Sequence, residues 1–207
     1  MVRGTLAVSA TIVASFILVA ATNASGRRVT ITANHTVAED TVPVLLAGTV
    51  SNRHRGETVT IEQDECGPAP WRPLRSVKTG DGGGWVSYAT TDVGVRLRAR
   101  WRGVVSRVIR VIARPEVDIA PAGARLHVLV RAHVYFPGSR VALQTFRGGR
   151  WQTTATSRLA RLGAAGQFAQ SGADFAMPRG HGTYRVVLPS ASAAPCYTGA
   201  ASAPLRI

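Results

Sequence analysis

One succession of short apolar–polar runs occurs twice in this chain, and that duplication constrains the fold more than any other feature. Leu46, Gly48 and Val50 precede a turn and then Val59 and Ile61; Val130, Ala132 and Val134 precede a turn and then Val141 and Leu143. A tryptophan follows each time, Trp71 in PAPWRPLRSV and Trp151 in GGRWQTTATS. Glycine-led runs come next, GGGWVSY and AGQFAQ. VRLRARW then matches TYRVVLP, and SRVIRV, ending at Val111, has the spacing of SAPLRI, ending at Ile207. The stretch ARPEVDI separates the copies, so the sequence divides into units 26–113 and 114–207, behind a leader over 1–25.

Within each unit the period is two. RRVTITA, VPVLLAGTV, ETVTIEQ, GWVSYATT, VRLRARW and SRVIRVIA each alternate apolar and polar residues between Gly, Pro, Asp and Ser clusters, which predicts strands. TSRLARLGAAG comes nearest to a helical period, and it ends in glycines. About seven short strands per unit is the arithmetic of a sandwich. The expected fold is all-β: two tandem immunoglobulin-like or fibronectin-like antiparallel sandwiches after an N-terminal signal segment. The V-x-I…W segment at 59–71, RARWRG…S at 98–106 and VALQ…GGRW at 141–151 carry a family likeness. On these segments the chain resembles the tandem immunoglobulin-like repeats of exported proteins from high-GC bacteria. The resemblance implies a fold and an exported setting but no catalytic residue, because sandwiches host many unrelated functions.

Export is also legible at the N-terminus. MVRGTLAVSATIVASFILVAATNASG has one arginine, then an uncharged apolar run from Thr5 to Ala21, then small polar residues. That is the layout of a signal peptide cut near Ala24, and an uncleaved anchor is the alternative. The expected location is outside the cell or in its envelope, with membrane contact only through this segment if it is retained.

Charge raises the question of a partner. There are 25 Lys+Arg against 11 Asp+Glu, and Lys78 is the one lysine. GC-rich codons produce such a skew unaided; guanidinium forks that grip phosphate or carboxylate are the functional alternative. The second unit is the more basic, since Asp174 is the only acid after Asp118. Alternation along VRLRARW places Val95, Leu97, Ala99 and Trp101 inward and Arg96, Arg98, Arg100 and Arg102 outward. The neighbouring strand is predicted to be ETVTIEQDE, whose Glu62 and Asp64 would neutralise part of this comb at about 0.2–1 kcal/mol per pair. Arg131, Arg140, Arg147 and Arg150, near Trp151, form a second candidate anion-binding set. By the repeat, Trp151 and Trp71 are equivalent and read as core tryptophans. No aromatic interleaves the comb, so nucleic acid is disfavoured as partner. An unidentified protein, or an anionic envelope polymer or saccharide, is expected instead.

Cys66 and Cys196 are the only thiols. If strand A starts at the top of its sandwich, Cys66 lies at the bottom of the first unit and Cys196 at the top of the second. A short linker brings those ends together, so the two are predicted to form an interdomain disulfide worth about 2–4 kcal/mol; free or intermolecular thiols are the alternatives. No catalytic or metal constellation is found and no cofactor is expected. His127 and His133 share the outward face of RLHVLVRAHVYF with Arg131, about 20 Å apart. Glu62, Asp64 and Glu65 lack a calcium-loop spacing, and TGDGGGW leads into a strand and reads as a hairpin turn. The expected function is that of an exported, non-catalytic structural or adhesion protein, with anionic-polymer binding as the alternative.

Overall fold

Alternate burial builds the molecule. Val95, Leu97, Ala99 and Trp101 are buried along Val95–Trp101 and the arginines between them face outward. Val141, Leu143 and Thr145 alternate in the same way along Arg140–Arg147. The computed structural model describes residues 26–39, 42–66 and 70–207; the expected leader, 1–25, lies outside the described residues. No helix among the described residues is long and apolar enough to cross a membrane.

The first half contributes β1 (Thr32–Ala33), β2 (Val37–Glu39), β3 (Val44–Thr49), β4 (Thr58–Glu65), β5 (Arg72–Lys78), β6 (Gly84–Ala89), β7 (Val95–Trp101), β8 (Val104–Val105) and β9 (Ile109–Arg114). The second contributes β10 (Glu116–Ala122), β11 (Arg125–Ala132), β12 (Arg140–Arg147), β13 (Arg150–Arg158), β14 (Ala160–Ala165), β15 (Phe168–Ala176), β16 (Thr183–Leu188), β17 (Ala200–Ala201) and β18 (Leu205–Arg206). In the first half a β1-β3-β6 sheet stands with a β2-β9-β7-β4-β5 sheet; in the second, β10-β11-β15-β14 stands with β13-β12-β16-β17. The second arrangement is the A-B-E-D and C′-C-F order of an immunoglobulin-like sandwich. The first follows the same order without a strand beside β6, and adds β2, which runs parallel to β9.

Each half encloses its own core. Leu46, Ile61, Trp85, Leu97 and Trp101 lead the first, and Leu126, Val130, Leu143, Tyr184 and Val186 the second. Gly48 is where the first core admits no side chain, because a Cβ there would lie 2.0 Å from the Thr30 carbonyl oxygen and 2.5 Å from the Trp85 ring.

Several expectations are corrected. Trp71 and Trp151 are not core residues: both are half-buried, and the first core takes Trp85 and Trp101 instead. Trp71 immediately precedes β5 and Trp151 lies in β13; both are edge strands exposed along most of their length, and the tryptophans fold onto the outer face. TSRLARLGAAG forms the end of β13 and all of β14. TGDGGGW is no hairpin, since β5 and β6 lie in different sheets and the glycines carry the chain between them. Of RRVTITA only Thr32–Ala33 is strand, with an isolated bridge from Val29 to Val50.

Candidate functional site

Three places carry chemistry: the seam between the halves and two equivalent outer faces. At the seam a single residue, Pro115, separates β9 from β10. Cys66 and Cys196 form a disulfide, with Cα atoms 5.3 Å apart. Gly94 sits between the two cysteines, its N–H donating to the Cys196 carbonyl and its own carbonyl accepting from the Cys66 N–H, both at 2.8 Å. A Cβ on Gly94 would come within 2.5 Å of the Cys196 carbonyl oxygen, so this approach requires glycine. The Thr198 N–H donates to the Ala113 carbonyl at 2.9 Å, Arg110 donates to the Pro195 carbonyl at 2.7 Å, and the Tyr197 hydroxyl donates to the Asp92 carbonyl at 2.6 Å. Val93 and Ala113 from the first half complete the apolar core of the second.

His133 belongs to this seam and not, as expected, to an exposed face. It follows the end of β11, its side chain is 16% exposed, and its ring stands edge-on to Phe168 at 5.2 Å. Its backbone N–H donates to the Tyr197 hydroxyl at 3.2 Å. His127 does face outward, 2.5 Å from Asp174. The His127 hydrogen bond, and then the Arg125 guanidinium, hold the Asp174 carboxyl below its ordinary range.

On the first outer face the register sets Glu62 opposite Arg98 and Asp64 opposite Arg96. The Arg98 Nε and Arg100 Nε each donate to Glu62 at 2.6 Å, and Arg96 pairs with Asp64. The Arg100 hydrogen bond, then that of Arg98, lowers the Glu62 pKa, and Glu62 in turn raises that of Arg100. Trp71 lies over this network, with the Arg98 guanidinium 4.2 Å from its ring. Glu62 is 8% and Asp64 1% exposed; the acids are buried beneath their arginines, and Glu65 pairs with Arg72. Arg102 is not a tooth of the comb. It leaves the strand in a turn with Gly103, both at positive φ (45° and 83°), the geometry of a type I′ hairpin. There it donates to Glu57 at 2.6 Å. Glu57 also accepts from the Trp101 indole at 2.9 Å, and that bond is the leading cause of its lowered pKa.

The equivalent face of the second half repeats the stack and omits the acids. Arg185 occupies the place of Arg98, again 4.2 Å from a tryptophan ring, that of Trp151. Where the first half has Glu62, the second has Gln144, and Arg185 Nε donates to its amide oxygen at 2.8 Å. Phe146 stands in the place of Asp64, 47% exposed and 5.2 Å from Trp151. Arg140 pairs in register with Arg158, and Arg206 with Thr183; all three arginines are exposed. Arg147 and Arg150 close the β12–β13 hairpin around Gly148 and Gly149, at φ 56° and 75°. Arg131 does not join this set: it lies on the other sheet and is neutralised by Glu116 at 2.7 Å and Asp118 at 2.6 Å. Sequence reading did not single out Gln144, Phe146, Arg158, Arg185 and Arg206. Alternation along β12 and β16 signals which of them face outward; that they meet on one face depends on the β12–β16 register.

Strand order and core thus define an all-β protein of immunoglobulin-like architecture. No family model matches the chain, and no curated protein matches it. Among solved structures, a marsupial T cell receptor is similar over 86% of this chain and 100% of that chain, at 12% identity and a TM-score of 0.31.

Proposed function

We propose that this chain is an exported, non-catalytic structural or adhesion protein of the cell envelope or extracellular space. It is built of tandem immunoglobulin-like domains, 26–113 and 114–207, behind a leader that is cleaved near Ala24 or kept as an anchor. One observation carries the reading: the Cys66–Cys196 disulfide joins the two halves at their only chain junction. Disulfides persist in oxidising compartments, and here the bond is reinforced by backbone hydrogen bonds on both sides. A fixed pair of domains presents loops and sheet faces at constant spacing, which suits a scaffold or adhesin. Catalysis finds little support, because the carboxylates of the described faces are engaged in ion pairs with arginine.

The test is the intact mass of protein recovered from culture medium and from the envelope, before and after reduction and alkylation. The reading expects recovery outside the cytoplasm, with both thiols protected until reduction. A chain retained in the cytoplasm with two alkylatable thiols would overturn it.

A further inference from the structure

The outer face of the second half is basic, and among the described residues of that half no carboxylate side chain lies on it. It runs from the Arg140–Arg158 pair at one end, through Arg185 and Gln144, to Trp151, Phe146 and Arg206 at the other. Arg140 and Phe146 lie six residues apart on one strand, so the face is about 20 Å long. Of the acids in this half, Glu116 and Asp118 are bound to Arg131, and Asp174 to Arg125 and His127, all on the opposite sheet. Glu39 reaches the rim from the first half and is paired with Arg114 at 3.5 Å.

We infer that this face binds a linear polysaccharide bearing carboxylate groups. Exposed guanidinium groups at both ends match carboxylates spaced along a chain. Between them Gln144, Thr153 and Thr156 offer short amide and hydroxyl groups suited to sugar hydroxyls. Cationic groups at both ends of a face about 20 Å long favour a polymer laid along it over a small molecule. The aromatics form one pair at one end of the face, whereas binders of single-stranded nucleic acid use a series of stacking platforms. The choice of a saccharide over nucleic acid also rests on the export reading; the existence of the site does not.

The experiment measures retention of the purified full chain on immobilised polygalacturonate at low and moderate salt. Neutral dextran, a single-stranded DNA oligomer and anionic phospholipid vesicles are run alongside. Salt-sensitive binding to polygalacturonate, weakened about tenfold or more in the Arg140→Gln/Arg158→Gln double variant and in Gln144→Glu, is expected. Arg96→Gln, on the acid-compensated face, should bind as the parent does. Both binding variants are surface changes, and unfolding midpoints no lower than the parent's would exclude misfolding as the cause. No retention, or equal retention by every variant, would overturn the site. Tighter binding to DNA or vesicles, lost in the same variants, would overturn the saccharide assignment. Failure of export is read separately, from where the chain is recovered.

Discussion

The two C′-C-F faces share a scaffold and differ in one class of residue. Both stack an arginine of the F strand 4.2 Å from a tryptophan at the C′ edge. In the first half two buried acids of β4 hold the arginines; in the second their places are taken by Gln144 and Phe146. The same stack is therefore a closed ion-pair network on one face and an open cationic surface on the other. A basic strand is not in itself a binding site, and what lies on the neighbouring strand decides it.

Separating the halves is the severest test of that contrast. Cys66→Ser with Cys196→Ser should cost about 2–4 kcal/mol in denaturant unfolding. It should also uncouple the halves, seen as non-coincident fluorescence and far-UV circular dichroism curves, because fluorescence reports mainly the first half through Trp71, Trp85 and Trp101, with Trp151 alone in the second. An unchanged single midpoint would assign the coupling to the noncovalent seam. Opening the closed face comes next. Glu62→Gln removes the charge that holds Arg98 and Arg100 and should destabilise by about 1–3 kcal/mol, read as a lower urea midpoint.

Acid provides a graded version of the same test. Because Glu62 titrates below its unfolded value, its contribution is complete above about pH 4.3 and is lost as pH falls through its folded pKa. Stability measured from pH 5 to 2 should therefore fall less steeply in Glu62→Gln than in the parent. The smallest effect is expected from closing the open face. Gln144→Glu, beside Arg185, should stabilise by about 0.2–1 kcal/mol, and an unchanged or lower midpoint would show that the second scaffold cannot accommodate the acid.

Sequence alternation located most long strands and the inward residues of β7 and β12, because a two-residue period is a local property. The opposition of Glu62 and Asp64 to the comb was also legible, since strands C and F are neighbours in any such sandwich. The tryptophans were not legible. The repeat makes Trp71 and Trp151 equivalent, as they are, but equivalence does not say which side of an edge strand they occupy. Trp85 could have been found from the alternation of GWVSYA, where Trp85, Ser87 and Ala89 all point inward. The open face of the second half was legible in part: Arg140, Arg147, Arg150 and Trp151 stand out in sequence, but Gln144, Phe146, Arg158, Arg185 and Arg206 come from β12, β13, β16 and β18, and only pairing register brings them together. His133 was misplaced for a similar reason: the strand ends one residue before it, and the seam then determines its surroundings.

The disulfide has a mechanical consequence. Cys66 and Cys196 are 130 positions apart, so tension applied along the chain passes from one cysteine to the other and bypasses everything between. At about 3.5 Å per residue, roughly 450 Å of contour length is withheld from extension while the bond is intact. The entire β12–β16 face lies inside that shielded loop. A pull on the ends can strip strands from the first half and β17 and β18, with Arg206, from the second, but the segment carrying β12–β16 cannot be drawn out into a line.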